Sequence, residues 1–209
     1  MRIAFLTCLC CLSIWGRSQN QNPVPYTYAQ LYQFLEDAKD NQDVWRLAEV
    51  YAQLGDYHLN AIDYENAFKS YKKSIEYYSY LGDSTKLYGV KIALAQYYQQ
   101  LDYFDDAINH YQEAIRFYKK EKAWPLLART YLNLSSIYRK SGDYEAELSY
   151  LNKGADINRV VKDTLLEITY HIDRSNSYQK LERYDEAMNS AQRALKLSYF
   201  IGHQDYLGL

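Results

Sequence analysis

The sequence has few cysteines, prolines and glycines: 3, 3 and 8 in 209 residues. So few turn-forming residues exclude a loop-rich β sandwich, whose hairpins consume them. There is also little imbalance of charge, with 24 Lys+Arg against 26 Asp+Glu and a net charge of -2. Such a chain has no field strong enough to hold nucleic acid or an anionic membrane nonspecifically. The motifs Gly-x-x-x-x-Gly-Lys, Gly-x-Gly-x-x-Gly and Gly-x-Ser-x-Gly are missing, and with them phosphate loops and nucleophile elbows. His58, His110, His171 and His203 fall in no zinc-binding spacing. No cofactor, metal site or catalytic group is expected, and the reading is of a protein that is not an enzyme. What is abundant is tyrosine, 25 residues, in a chain that is 48% hydrophobic and 24% charged, the composition of a folded protein.

Residues 1–18 read as a segment outside the fold. A basic start at Met1-Arg2 precedes an apolar run from Ile3 to Trp15, then Gly16-Arg17-Ser18 with small residues at the two positions a signal peptidase reads. The uncharged stretch between Arg2 and Arg17 has 14 residues, short of the ~20 that span hydrocarbon. A secretory signal cleaved near Ser18-Gln19 is therefore expected, leaving a periplasmic or other extracytoplasmic product. Cys8, Cys10 and Cys11 all lie within it, so the mature chain would hold no disulfide or thiolate.

The remainder repeats every forty residues. Tyr64, Phe104, Tyr144 and Tyr184 form one column, and His58, Tyr98, Tyr138 and Tyr178 another. Asp43, Asp83 and Asp163 recur ahead of helical patterns, where an Asp accepts from free backbone N–H groups. Three further columns hold small residues: Gly55/Ala95/Ser135/Ser175, Ala67/Ala107/Glu147/Ala187 and Ser74/Ala114/Gly154/Ala194. Eleven of these twelve positions are Gly, Ala or Ser, as close helix crossings require. Each period holds two helices: Leu127, Tyr131, Leu134 and Tyr138 make the apolar face of one, Ser141-Gly142-Asp143 interrupts it, and Tyr144, Leu148 and Leu151 begin the next. Acidic residues at Glu65, Asp105-Asp106, Glu145 and Asp185-Glu186 suit the positive end of the second helix's dipole. Glu147 is expected to mark a polar or loosened junction. Tyr77-Tyr78, Tyr97-Tyr98 and Tyr118 exceed what packing requires, so some of these rings are expected at the surface.

Helix pairs with a small residue inside the first helix, an aromatic opening the second and Ala three residues later resemble tetratricopeptide repeats. Gly142-Asp143-Tyr144-Glu145 and Tyr184-Asp185-Glu186-Ala187 carry the likeness. The forty-residue unit is longer than the usual 34, similar to repeats of kinesin light chains, MalT-type regulators and Rap-type phosphatase regulators. The resemblance implies an all-α fold, a right-handed α-solenoid of antiparallel helix pairs. Its expected divisions are a linker and extra helix over 19–42, repeats over 43–82, 83–122, 123–162 and 163–202, and the start of a truncated fifth repeat over 203–209.

The resemblance also places a ligand groove on the concave face, formed by the first helix of each pair. There the sequence offers Gln96, Gln99 and Gln100 in the second repeat, Arg129, Ser136, Arg139 and Lys140 in the third, and Asn176, Gln179 and Lys180 in the fourth. Cationic and amide side chains suit the backbone and carboxylates of a protein or peptide segment, one of acidic character. The Lys/Asn clamp by which some relatives hold a C-terminal carboxylate is missing, because Ile92, Leu132 and Ile172 stand in its positions. The expected function is thus an exported scaffold for protein–protein interaction. The alternative, by family analogy, is the extracytoplasmic sensor region of a membrane-anchored signalling protein with a histidine kinase or helix-turn-helix output.

Overall fold

The computed structural model describes residues 26–207, the side chains of 203–207 excepted. The expected signal segment lies outside these residues. Among the described residues there are nine helices and no strand: α1 Tyr28–Asp40, α2 Val44–Asn60, α3 Tyr64–Leu81, α4 Ser84–Gln100, α5 Phe104–Lys120, α6 Trp124–Ser141, α7 Tyr144–Val161, α8 Thr164–Lys180 and α9 Tyr184–Leu207. Each packs on its neighbours in sequence, and first helices also meet across a pair, α2 with α4 and α6 with α8. The result is an α-solenoid. None of the helices is long and apolar enough to cross a membrane.

The helix starts follow from the capping residues. Asp43, Asp83 and Asp163 accept from the amides of Arg46, Lys86 and Leu166 at 2.9, 3.0 and 2.9 Å. Asp63 and Asp143 do the same for second helices, at Asn66 and Ala146. In α6 the cap position is Ala123 and a proline near the first turn replaces it. Thr27 and Gln30 form a reciprocal capping box at α1.

The reversals obey a shorter period than the sequence columns. Residues 42, 62, 82, 102, 122, 142, 162 and 182 all have positive φ, one every twenty residues, yet only Gly82 and Gly142 are glycine. The amide after each left-handed residue donates to the carbonyl five back, as Asp43 to Ala38, Asp63 to His58 and Asp143 to Tyr138, at 2.8–2.9 Å. This is the Schellman closure, which satisfies orphan carbonyls at a helix end. The junction at Lys162 differs. There Lys162 N–H donates to Asn158 O at 2.7 Å, and the Asn158 side-chain amide donates to Asp163 O at 2.9 Å.

All three small-residue columns are packed at crossings: Gly55, Ala95 and Ser135, Ala67 and Ala107, Ser74 and Ala114 are buried. Tyr71 and Tyr111 fill the space beside them with no exposure at all. Of the surplus rings, Tyr78, Tyr97 and Tyr118 are likewise buried and belong to the core, while Tyr77 and Tyr98 are half-buried. Glu147, in the third copy's small slot, is fully buried. At the far end α9 continues helically past Gly202, where the forty-residue register expects a turn and a fifth repeat. Position 203 is His, with neither the capping Asp nor a following proline that opens the other first helices.

Candidate binding groove

Successive first helices α2, α4, α6 and α8 stand side by side, and their outward faces enclose a groove of about 1030 Å³. Its middle is apolar, built from the register position Ala52, Ile92, Leu132 and Ile172. Polar side chains flank this stripe. Three tyrosines of second helices, Tyr71, Tyr78 and Tyr118, reach between the first helices to line its floor.

Six of the ten side chains expected from the sequence line this groove: Gln96, Gln99, Arg129, Ser136, Arg139 and Lys140. Gln100 is half-buried outside it, at the last residue of α4. Asn176, Gln179 and Lys180 are exposed and also lie outside it. A groove needs a first helix on each side, and among the described residues none follows α8.

The lining groups are less free than their spacing suggested. Gln99 is only 3% exposed; it donates to Ser136 Oγ at 2.8 Å and accepts from the Tyr111 hydroxyl at 3.3 Å. Arg139 Nη1 lies 2.5 Å from Asp173 Oδ1 and 3.4 Å from Glu147 Oε1. Burial pushes the Glu147 carboxyl up to about 7, against the pull of Ser177 and Arg139, and raises that of Asp173 as well. Arg139 therefore ties α6 to α7 and α8 and is a structural residue before it is a ligand contact. Lys140 donates to Gln99 O at 3.0 Å while keeping nearly half of its side chain exposed. Arg129 meets Asp163 at 3.1 Å and is 66% exposed, the freest cation of the set.

Sequence reasoning missed the acidic end of the groove. In α2, Glu49 accepts from the Tyr78 hydroxyl at 2.8 Å and from Lys86 Nζ at 3.1 Å. Asp56 accepts from Tyr71 at 2.7 Å, and burial raises its carboxyl above the usual carboxylate range. The register position of Asp56, Gln96, Ser136 and Asn176 is polar in every repeat, a signal that was readable. The groove thus runs from carboxylates at the first repeat to cations at the third. Among the described residues no three His, Cys, Asp or Glu side chains are placed to hold a metal.

Tetratricopeptide repeat models match the chain over residues 87–159 and again over 48–80 and 168–199, more than half of its length. The chain belongs to the tetratricopeptide repeat family. It is 25% identical over 140 residues to Protein KINESIN LIGHT CHAIN-RELATED 1 of Arabidopsis thaliana, covering 65% of this chain and 23% of that one. The chain thus spans less than a quarter of the length of the curated relatives it matches. Among solved structures, aspartyl phosphate phosphatase F from Bacillus subtilis superposes with a TM-score of 0.74 at 18% identity, over 86% of this chain and 50% of that one. A Rap protein complexed with competence and sporulation factor gives 0.64 at 16% identity, over 79% and 47%. These likenesses establish a tetratricopeptide solenoid.

Proposed function

We propose that this tetratricopeptide repeat protein is a non-enzymatic scaffold whose concave groove holds a segment of another protein. The observation that carries this is the groove itself: about 1030 Å³, with an apolar stripe of Ile92, Leu132 and Ile172 between polar walls. Ile172 leaves 44% of its surface exposed on that stripe, more than a side chain needs for packing alone. An extended or helical segment would lay alternate apolar side chains along the stripe while the walls hydrogen-bond its flanks. Arg129 and Lys140, which keep 66 and 45% of their side chains exposed, favour an acidic residue beside the third repeat. Glu49 and Asp56 favour a cation or a backbone amide at the other end, so the segment is read in one direction. A Rap protein of this fold is complexed with competence and sporulation factor, which supports a partner-binding reading. Residues 1–18 would take the scaffold out of the cytoplasm, a reading that N-terminal sequencing of the recovered product checks: it should begin near Gln19.

The test is selection of displayed peptides on the wild-type solenoid, followed by titration of the winners against Ile172→Glu and Arg129→Glu. Both side chains are exposed, so their folding should hold within ~0.5 kcal/mol. Ile172→Glu should weaken every selected peptide at least tenfold, and Arg129→Glu only those with an acidic residue. Equal affinity of all three proteins would remove the groove from the account.

A further inference from the structure

The solenoid carries a second cavity, of about 330 Å³, between α7, α8 and α9. It lies on the far side of α8 from the groove. At 3.6 residues per turn, Leu165, Thr169 and Ile172 face the groove, while His171, Arg174 and Tyr178 face the opposite way. Its lining includes Asn152 from α7 and Asn189, Ser190 and Arg193 from α9.

Comparison among the repeats shows what is unusual here. Arg174 occupies the register position of Leu54, Leu94 and Leu134, which are 3, 3 and 0% exposed core leucines. The fourth repeat thus places a guanidinium where the other three place an apolar side chain. Among the described residues no carboxylate comes within ion-pair distance of it. It donates to Asn152 Oδ1, while its Nε is buried without a partner. Burial holds it below the ordinary arginine value, with Arg159 and Arg193 adding to the effect and Tyr178 and Asp156 opposing it. His171 beside it is 8% exposed, and its Nδ1 is also buried without a partner. A half-buried charge without a carboxylate in ion-pair contact and two orphaned ring or guanidine nitrogens would each cost stability with nothing to bind. An anion in the cavity would compensate the charge that Arg174 and Arg193 bring to it.

We propose that this cavity is an oxyanion site, taking a carboxylate or phosphate group between Arg174, Arg193 and His171. Arg174 lines the cavity, and its planar guanidinium is the group that suits such ligands. Arg193, exposed at the mouth and anchored through Nε to Asn189 at 3.1 Å, closes the site from α9. Of the two rim carboxylates, Glu186 is already held by Arg183 at 2.7 Å. Asp185 opposes the anion and restricts the site to a small, single group. The site is independent of the groove, since no residue lines both cavities.

The experiment adds sodium phosphate or sodium acetate to the full chain, with sodium chloride at matched ionic strength as the reference. It follows the thermal midpoint and the Arg174 Nε–H resonance. At a tenfold excess over Kd, a bound anion should raise the wild-type midpoint by about 3–6 °C above the chloride reference and shift that resonance. A response to phosphate alone assigns a phosphate group, and a response to acetate as well assigns a carboxylate. Arg174→Leu, which restores the core leucine, should melt higher than wild type in chloride and show no response to either anion. Arg193→Gln should melt as wild type does in chloride and bind at least fivefold more weakly. The proposal is overturned by a wild-type response equal to that in chloride, by an undiminished response in Arg174→Leu, or by a lower midpoint of that variant in chloride.

Discussion

In each of the first two repeats the second helix buries two tyrosines, and in the third those positions give way while a charge cluster enters the core. Tyr71 and Tyr111 occupy the same register position, as do Tyr78 and Tyr118, and all four are buried. One period later these positions hold Leu151 and Asn158, Glu147 replaces Ala107, and Arg174 replaces Leu134. The backbone hardly registers the change, because the left-handed reversal every twenty residues and its five-back hydrogen bond recur on both sides of the boundary. The connectors therefore set the geometry of the solenoid, and the core is free to vary in chemistry. Only at Lys162 does the connector itself yield, and there the substituted core residue, Asn158, makes a different bond, its side-chain amide donating to Asp163 O.

The comparison breaks most readily at Arg139. Replacing it with Ala leaves Glu147 and Asp173, 0 and 4% exposed, as two buried carboxylates without their shared cation. Removing one partner of a buried ion pair costs about 3–5 kcal/mol, and a third of Arg139 is in water, so a loss of ~3 kcal/mol is expected. Arg129→Ala, whose pair with Asp163 is exposed, should change stability by less than ~0.5 kcal/mol. Denaturant titration of the two variants decides the matter; equal losses would show that the third repeat is not held by charge.

Gly55→Ala probes the tyrosine half. A Cβ there would stand 2.4 Å from two ring atoms of Tyr71, closer than carbon atoms approach. The ring has no easy retreat, since its hydroxyl is fixed to Asp56 at 2.7 Å. Overpacking should outweigh the better helix propensity of Ala and destabilise the protein by ~2 kcal/mol. A more stable Gly55→Ala protein would mean that Tyr71 has room to move and the aromatic core is looser than its burial implies.

Much of this was legible in the sequence, and the exceptions share a cause. The forty-residue columns, the caps at Asp43, Asp83 and Asp163, the break at Gly142 and the extra helix ahead of the first repeat all depend on contacts within a helix or across one turn. The twenty-residue reversal was hidden because six of its eight positions are ordinary residues, held in the left-handed region by packing on either side. Arg139 read as a groove cation because its partners, Glu147 and Asp173, are 8 and 34 residues away, and only the stacking of α6, α7 and α8 unites them. The same distance hid the role of Glu147, which read as an interloper among alanines. Arg174 stood in plain view in a leucine column, yet the column draws notice only once the others are known to be buried.

Glu147 sharpens the comparison through pH. Its carboxyl is held near 7 in the folded chain by burial, against an ordinary value of 4.5. Between these values the native state keeps a proton that the unfolded state has lost, so stability falls as pH rises from about 4.5 to 7 and is flat beyond. Glu147→Gln keeps the volume and removes the titration. It should lie close to wild type near pH 5 and exceed it by ~2–3 kcal/mol near pH 8. An identical pH dependence of the two proteins would show that Glu147 is ionised in the fold, with Arg139 fully compensating it.

The smallest effect tests the part the two halves share. Ile62 sits at φ 61°, in the position that Gly82 and Gly142 occupy at other reversals, and is 71% exposed. A β-branched side chain in that region crowds its own backbone, at a cost of about 1–2 kcal/mol. Its exposure means that little packing is lost with the side chain. Glycine removes the strain but gives the unfolded chain more freedom, worth about 0.5–1 kcal/mol. The difference predicts that Ile62→Gly stabilises the protein by ~0.5 kcal/mol, a shift of about 1–2 °C in the thermal midpoint for a chain of this size. Ile62→Val, equally branched, should leave the midpoint where it is. If Val and Gly move it alike, the reversal is not strained by branching, and the left-handed residue follows from the helices it joins instead of helping to fix them.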